Sequence, residues 1–497
     1  MSIAMLLDMA AEAAPDRLAV GPGSAALTFG DLSTRARSVA ARLRRDGVER
    51  LGLIDLNSEA VPLALYGAAM AGVPFAPVNY RLPDEQLRSI VARLAPALVV
   101  AGAGTADRLG AIEGIELLSR DAFVAESACP STDVELPSVD ANDIAVLLFT
   151  SGTTGEPKAA VLRHRHLTSY VFASVEFLGA GEADAQIVSV PSYHIAGISS
   201  VLSSTFSGRR IVYLPAFEPD AWVKSVVDEG ATHAMVVPTM LERVLDVMAS
   251  TGESLPTLRH LSYGGGRMPV DLIRRALHAL PHTDFVNAYG LTETSSTVAI
   301  LGPAEHRAAL ASHDPRVQAR LGSVGRPLPS VELQVRGATG GPLPPGEHGE
   351  VFIRGEQIAG EYLERNELTD EGWLATNDAG YLDEEGYLFL DGRLDDVIVR
   401  GAENLSPGEI EDTLIEHAAV VDAAVVGVPD SEWGEAVAAV VVLAEGVVVT
   451  ADELRTWVRT RLRSTKAPTH IHFRATLPYN ETGKLLRRVL RAELSAG

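Results

Sequence analysis

The 497-residue sequence holds one cysteine, Cys129, and only four lysines among its 42 basic residues. A single cysteine excludes an intrachain disulfide framework and a cysteine-rich metal centre, and it fits a reducing compartment. By itself Cys129 reads as an inert small residue rather than a nucleophile. Long apolar runs are missing too. The longest, near 436–443, is too short to cross a bilayer, so no membrane span is expected. Positive charge is scarce: the net charge of −23 argues against nucleic acid or an anionic membrane as the main partner. A polyanionic small ligand stays open, because local donors and Mg2+ can offset the field. The opening MSIAMLLDMAAEAAPDR lacks a basic lead-in and carries early acids, so no signal peptide is expected and the expected location is the cytoplasm.

The scarcity of lysine makes the retained ones informative. A bias toward arginine is what genome base composition produces, yet a compact ammonium is the better point charge in a tight phosphoryl site. Lys158 closes the run TSGTTGEPK at 150–158. There Gly152 and Gly155 let backbone N–H groups converge, and Thr150, Ser151, Thr153 and Thr154 add hydroxyls. The apolar stretch 144–149 just ahead suits a buried strand. Strand followed by glycine-rich turn is a phosphate-binding context, although the spacing is not that of the common P-loop. On composition alone, phosphate cradle and flexible surface loop both remain open. Lys484 lies in LPYNETGKLLRR, where a turn gives way to an amphipathic helix starting at that lysine. Alone, it also fits a solvated first-turn lysine.

The length allows about three domain-sized units. Helical patterns at 33–46 and 60–71 alternate with strand-like runs at 98–101, 187–190, 211–214 and 234–237, which predicts an α/β fold. Polar, glycine-punctuated sequence at 366–393 predicts short strands and turns. We place a large N-terminal domain of layered α/β subdomains at 1–394 and a small, mobile α+β C-terminal domain at 395–497. In the latter, Ser406-Pro-Gly-Glu409 and Thr450–Glu453 read as capping boxes, with strands at 423–428 and 436–443.

TSGTTGEPK at 150–158, AYGLTE at 288–293, GR at 392–393 and TGK at 482–484 together resemble the signature set of the adenylate-forming (ANL) superfamily. LTFGDL at 27–32, VPSYHIAG at 190–197, VVPTML at 236–241 and SYGGG at 262–266 fall where that family has similar blocks, so the resemblance covers nearly the whole chain. It implies an acid–thiol ligase: ATP-dependent activation of a carboxylic acid to an acyl-adenylate with release of pyrophosphate, then transfer to coenzyme A. The expected cofactors are ATP, Mg2+ and coenzyme A.

By resemblance, Thr150, Ser151, Gly152, Thr153, Thr154, Gly155 and Lys158 would hold the β- and γ-phosphates. Thr292 would contact the α-phosphate and Glu293 would help hold Mg2+, a hard cation suited to oxygen. Tyr289 would pack on the adenine, with Gly264, Gly265 and Gly266 along its edge. Asp378, supported by Arg393, would take the ribose hydroxyls. Lys484 would bridge carboxylate and α-phosphate. Asp395 matches the hinge, and 397–404, with Gly401, Ala402 and Glu403, the thiolation loop. His194, Gly197, Val237, Tyr263, Gly265 and Ala288 would line the acyl pocket.

The chain departs from the family pattern at Ala159, Asn377, Val399 and Ala402, none of which removes a catalytic group. The stretch Tyr-His-Ile-Ala-Gly-Ile-Ser at 193–199 lacks the aspartate that amino-acid-activating relatives use. The pocket set is small and mostly apolar, which implies a bulky apolar acid, while Arg267 leaves open a second substrate carboxylate. The acceptor reads as free coenzyme A; the alternatives are a carrier-protein pantetheine or a non-catalytic nucleotide-binding regulator. A monomer or homodimer is expected.

Overall fold

The computed structural model describes residues 1–129, 135–150, 157–401, 403–431, 433–479 and 485–495. Apolar runs such as Leu51–Ile54, Ala97–Ala101 and Ile144–Thr150 do not alternate, as expected of strands covered on both faces. They form a six-stranded sheet with Ile115–Ser119, Phe75–Pro77 and the edge strand Lys158–Arg163. All its pairs are parallel except the last, Ile144–Thr150 with Lys158–Arg163. The helix Ala60–Ala71 has no polar face and is buried along its whole length, ending at Gly72 in the left-handed region (φ 70).

A nine-stranded sheet carries the middle of the chain. Its parallel centre runs Asp284–Leu291, His260–Gly264, His233–Val236, Ala185–Val188 and Arg210–Tyr213, side by side in that order. Helices Pro219–Asp228, Pro238–Thr251 and Val270–Ala279 bury their apolar stripes against it, around Trp222, Leu241, Tyr263 and Phe285. A four-stranded antiparallel sheet, Val331–Arg336, Gly349–Gly355, Leu374–Leu382 and Leu388–Arg393, follows.

The small C-terminal unit is built on the hairpin of Val420–Asp430 and Gly434–Leu443. Both of its faces are apolar. Val425, Val437 and Val441 meet helices Pro407–Ile415 and Ala451–Arg461, while Val426, Val428 and Val440 meet Arg487–Ser495. The period of two along each strand sorts one valine-rich run into two cores.

Most expected elements form, with ends shifted by one to four residues; Ala60–Ala71 is reproduced without a shift. The Thr450–Glu453 capping box is present. The one expected at Ser406 is not: the Ser406 hydroxyl donates to the Asp391 carbonyl at 2.6 Å, and Glu409 pairs with Lys466. A tertiary acceptor has outcompeted the local cap, though Pro407 does occupy the first helical turn. The last helix starts at Arg487, three residues after the expected position.

Strand Asp284–Leu291 pairs antiparallel with Ser296–Leu301 through a bulge at Tyr289–Gly290. A Cβ on Gly290 would lie 1.9 Å from the Ser296 carbonyl oxygen. Backbone cannot yield as a side chain does, so Gly290→Ala should destabilise the fold by about 1–3 kcal/mol, the range for overpacking. Urea unfolding beside wild type checks this; an unchanged midpoint would refute the tight fit.

Candidate active site

Ligands in open parallel sheets bind beyond the carboxyl ends of the strands. Here adjacent strands end together with the candidate residues. His194 follows Ala185–Val188, Val237 follows His233–Val236, Gly264–Gly266 close His260–Gly264, and Tyr289 to Glu293 close Asp284–Leu291. Glycine is needed at this rim. A Cβ on Gly264 would sit 2.3 Å from the Ala288 carbonyl oxygen, and Gly265 takes φ +75 beside Val237. Gly197, in the first turn of Ile195–Ser207, lets that helix approach the Pro191 carbonyl, which a Cβ would meet at 2.5 Å. His194 stands at the residue before the same helix, without a side-chain cap bond, and packs on Tyr193, ring centroids 4.7 Å apart. Burial lowers its pKa to about 4, so the imidazole is neutral at pH 7.

Tyr263 is the exception. It is 0% exposed, and its hydroxyl meets His306 Nε2 at 2.8 Å inside the helix-packed core. Its side chain therefore belongs to that core and does not line the rim with its neighbours Gly264 and Gly265.

A polar cluster forms where the nine-stranded and four-stranded sheets meet. The Tyr289 hydroxyl donates to Asp378 Oδ2 at 2.5 Å, and Arg393 Nη1 lies 3.2 Å from Asp378 Oδ1. Asp378 and Arg393 are cross-strand partners, so the ladder register sets this pair. Burial, followed by the Asp378 charge, pushes the Tyr289 pKa well up and keeps the phenol protonated. Asn377, where the family pattern has glycine, sits at φ 60, a region asparagine tolerates better than most residues. Its Nδ2 donates to Asp395 Oδ2 at 2.8 Å, tying the strand to the expected hinge.

Glu293 lies in a tight turn, Thr292–Thr294, and its backbone carbonyl accepts from Ala359 N and Gly360 N at 2.8 and 3.0 Å. Its carboxylate accepts the Tyr362 hydroxyl. Thr150 and Lys158 face each other across the hairpin, and Lys158 Nζ stands 5.6 Å from the centre of the Tyr362 ring. The phosphate-loop residues Ser151, Gly152, Thr153, Thr154 and Gly155 lie outside the described residues, as do Lys484 and Ala402. Gly401 adopts φ +65 and donates its N–H to the Trp433 carbonyl at 2.7 Å; Glu403 Oε1 is 3.9 Å from Arg463. Arg267 pairs with Asp412 of the small unit.

The expectations from sequence did not include Tyr362. It stands 69 positions from Glu293 and carries no spacing signal of its own. Among the described residues, no three or more His, Cys, Asp or Glu gather as a metal cage. A single half-buried carboxylate suits Mg2+, which keeps several waters and binds through one or two carboxylates plus phosphate oxygens. Glu293 fits that requirement.

The model of the AMP-binding enzyme family matches residues 7–363, and that of the AMP-binding enzyme C-terminal domain matches 409–484. Feruloyl-CoA synthase from Amycolatopsis sp is 34% identical over 490 residues, spanning 97% of this chain and 96% of the relative. Fatty acid–[acyl-carrier-protein] ligase ScoC from Streptomyces coeruleorubidus is 32% identical over 485 residues, 94% of this chain and 91% of the relative. The solved o-succinylbenzoate CoA synthetase of Bacillus subtilis, in complex with its acyl-adenylate intermediate, superposes with a TM-score of 0.84 at 26% identity, covering 98% of this chain and 97% of the other. The same enzyme solved with ATP and a magnesium ion also gives 0.84 at 26% identity, over 97% and 98% of the chains. With strand ends, polar cluster and hairpin lysine placed as described, the chain belongs to the AMP-binding enzyme family, in the acyl- and aryl-CoA ligase branch of the adenylate-forming superfamily.

Proposed function

We propose a division of labour among the residues of this ATP-dependent acid–thiol ligase, which adenylates a carboxylic acid and transfers the acyl group to coenzyme A. The observation that carries it is one strand, Asp284–Leu291, that leads from the Tyr289–Asp378–Arg393 cluster to Glu293 opposite the Lys158 hairpin. Asp378 would take the ribose hydroxyls, with Arg393 holding one of its oxygens. Tyr289, anchored by the same carboxylate, would present its ring to the adenine, beside Gly264–Gly266. Lys158 and the loop 150–155 would hold the β- and γ-phosphates, and Thr292 the α-phosphate. Glu293 would hold Mg2+, which when bound neutralises charge on the phosphates. Lys484 would stabilise charge as the substrate carboxylate attacks phosphorus.

We take 1–394 as the adenylating domain and 395–497 as the mobile one, hinged at Asp395. Rotation would replace Lys484 by the segment 397–404, opening a path for the thiol. In the acyl pocket, neutral His194 with Gly197, Val237, Gly265 and Ala288 would suit a bulky apolar acid. Arg267 is engaged by Asp412, which supports an acid without a second carboxylate. Transfer to a carrier-protein pantetheine is the second reading, favoured by the likeness to a ligase named for that acceptor. The single cysteine supports a cytoplasmic setting, and no helix among the described residues is long and apolar enough to cross a membrane.

With Mg2+, ATP, coenzyme A and an aryl or alicyclic acid, the protein should release AMP and pyrophosphate and form a thioester; ADP and phosphate would contradict adenylation. Lys484→Ala should slow adenylate formation by about two to three decades, the scale for one charge in a preorganised site. Given pre-made acyl-adenylate, it should still form thioester at near wild-type rate, and equal damage to both steps would refute domain alternation. For His194, ring NMR should show titration near pH 4 instead of 6.5. As pH falls below 6.5 the unfolded chain takes up this proton first, so folding stability declines toward pH 4. His194→Gln should make that part of the profile shallower, the remainder coming from other buried histidines such as His164 and His166, and an unchanged slope would remove His194 as a contributor.

A further inference from the structure

Glu293 and Lys158 belong to different sheets, and one short segment brackets them. Residues 359–365 are tied to the Glu293 turn by the Ala359 and Gly360 amides. On the other side they are tied to the strand that begins at Lys158. Leu363 N donates to the Ala159 carbonyl at 3.0 Å, and Val161 N to the Glu361 carbonyl at 2.9 Å. Arg163 clamps the Glu361 carboxylate with two bonds of 2.8 and 2.7 Å. Arg93 donates both to the Pro157 carbonyl and to Glu364, each at 2.6 Å. A forked guanidinium on each side makes this bracket stiff.

Tyr362 is the centre of the bracket. It is half-buried, its hydroxyl donates to Glu293 Oε1, and the Thr150 hydroxyl lies beside it. Lys158 Nζ stands over its ring at 5.6 Å, within range for a cation–π contact. Burial, then the Glu293 charge, pushes the phenol pKa up, so it stays a donor. A rotatable glutamate at a turn would otherwise sample several orientations. A donor fixed to one oxygen holds the carboxylate plane and leaves Oε2, which has no partner among the described residues, for another ligand.

We propose that Tyr362 is a positioning residue, orienting Glu293 for the metal ion through its hydroxyl and Lys158 for phosphate through its ring. This rests on the reading of Glu293 and Lys158 given above. Phenylalanine fills the same half-buried space and keeps the ring, so Tyr362→Phe isolates the hydroxyl; Tyr362→Leu removes both functions.

The test is calorimetric ATP binding by the full chain at stepped Mg2+ concentrations, with EDTA as the metal-free point and melting curves to confirm folding. Tyr362→Phe should bind ATP in EDTA as wild type does, while the Mg2+ concentration for half-maximal enhancement rises about tenfold, the effect of losing a hydrogen bond to a charged group. Tyr362→Leu should in addition weaken metal-free binding about threefold, the scale of an exposed cation–π contact. In the Glu293→Gln background, adding Tyr362→Phe should shift the midpoint little further, because coupled residues are not additive. A Tyr362→Phe midpoint within twofold of wild type, with Glu293→Gln clearly shifted, would overturn the proposal alone. An unshifted Glu293→Gln midpoint would overturn the metal role of Glu293 and the proposal with it.

Discussion

Two amides donated to one carbonyl hold the Glu293 end of the candidate site in place. Ala359 N and Gly360 N meet the Glu293 oxygen where the Asp284–Leu291 strand turns back on itself. That turn sets the Glu293 carboxylate at one of its ends and, through the bulge before it, the Tyr289 ring at the other. This closure joins other ties between the nine-stranded and four-stranded sheets, such as Val324 N to the Leu388 carbonyl and Leu388 N to the Gly325 carbonyl. Tyr289 reaches Asp378 across the same boundary. The polar groups of the site thus rest on backbone hydrogen bonds, which are short, directional and indifferent to side-chain rotamers.

Much of this was legible in the chain because the signals were local. The helical pattern at 60–71 specified the helix Ala60–Ala71, and Thr450 with Glu453 specified the start of Ala451–Arg461. The motif residues Gly264, Gly265, Tyr289 and Arg393 carried the family resemblance; Gly264 and Tyr289 stand at the ends of neighbouring strands, and Tyr289 and Arg393 both reach Asp378. What was not legible depended on partners distant in sequence. A strand's period of two says that neighbours face opposite ways but not which way, so Tyr263 turned to His306 while Gly264 stayed at the rim. Ser406 had an equally good local reading as a cap, and only the folded molecule supplies the Asp391 carbonyl that displaced it. Tyr362 was invisible for the same reason, since its importance lies wholly in what it touches.

Asn377 shows how a departure from a family pattern can be absorbed. Its left-handed backbone carries a side chain where glycine would carry none, and that side chain reaches Asp395. The backbone requirement is met at a small conformational cost, and a contact with Asp395 is added that glycine could not make.

The boundary between large and small units has a different character from the cores on either side. Arg267 and Asp412 join across it as an ion pair with side chains 47% and 39% exposed. On the same boundary burial pushes the Asp422 pKa up to about 6, and the Glu242 charge adds to that rise. A partly exposed ion pair of this kind is worth about 1 kcal/mol, although burial also pushes the Asp412 pKa up. A greasy seam of equal area would bind the small unit as tightly as another core. The polar seam acts instead as a shallow catch: it favours one arrangement of the two bodies with little binding energy of its own, and dissolved salt sets part of its depth.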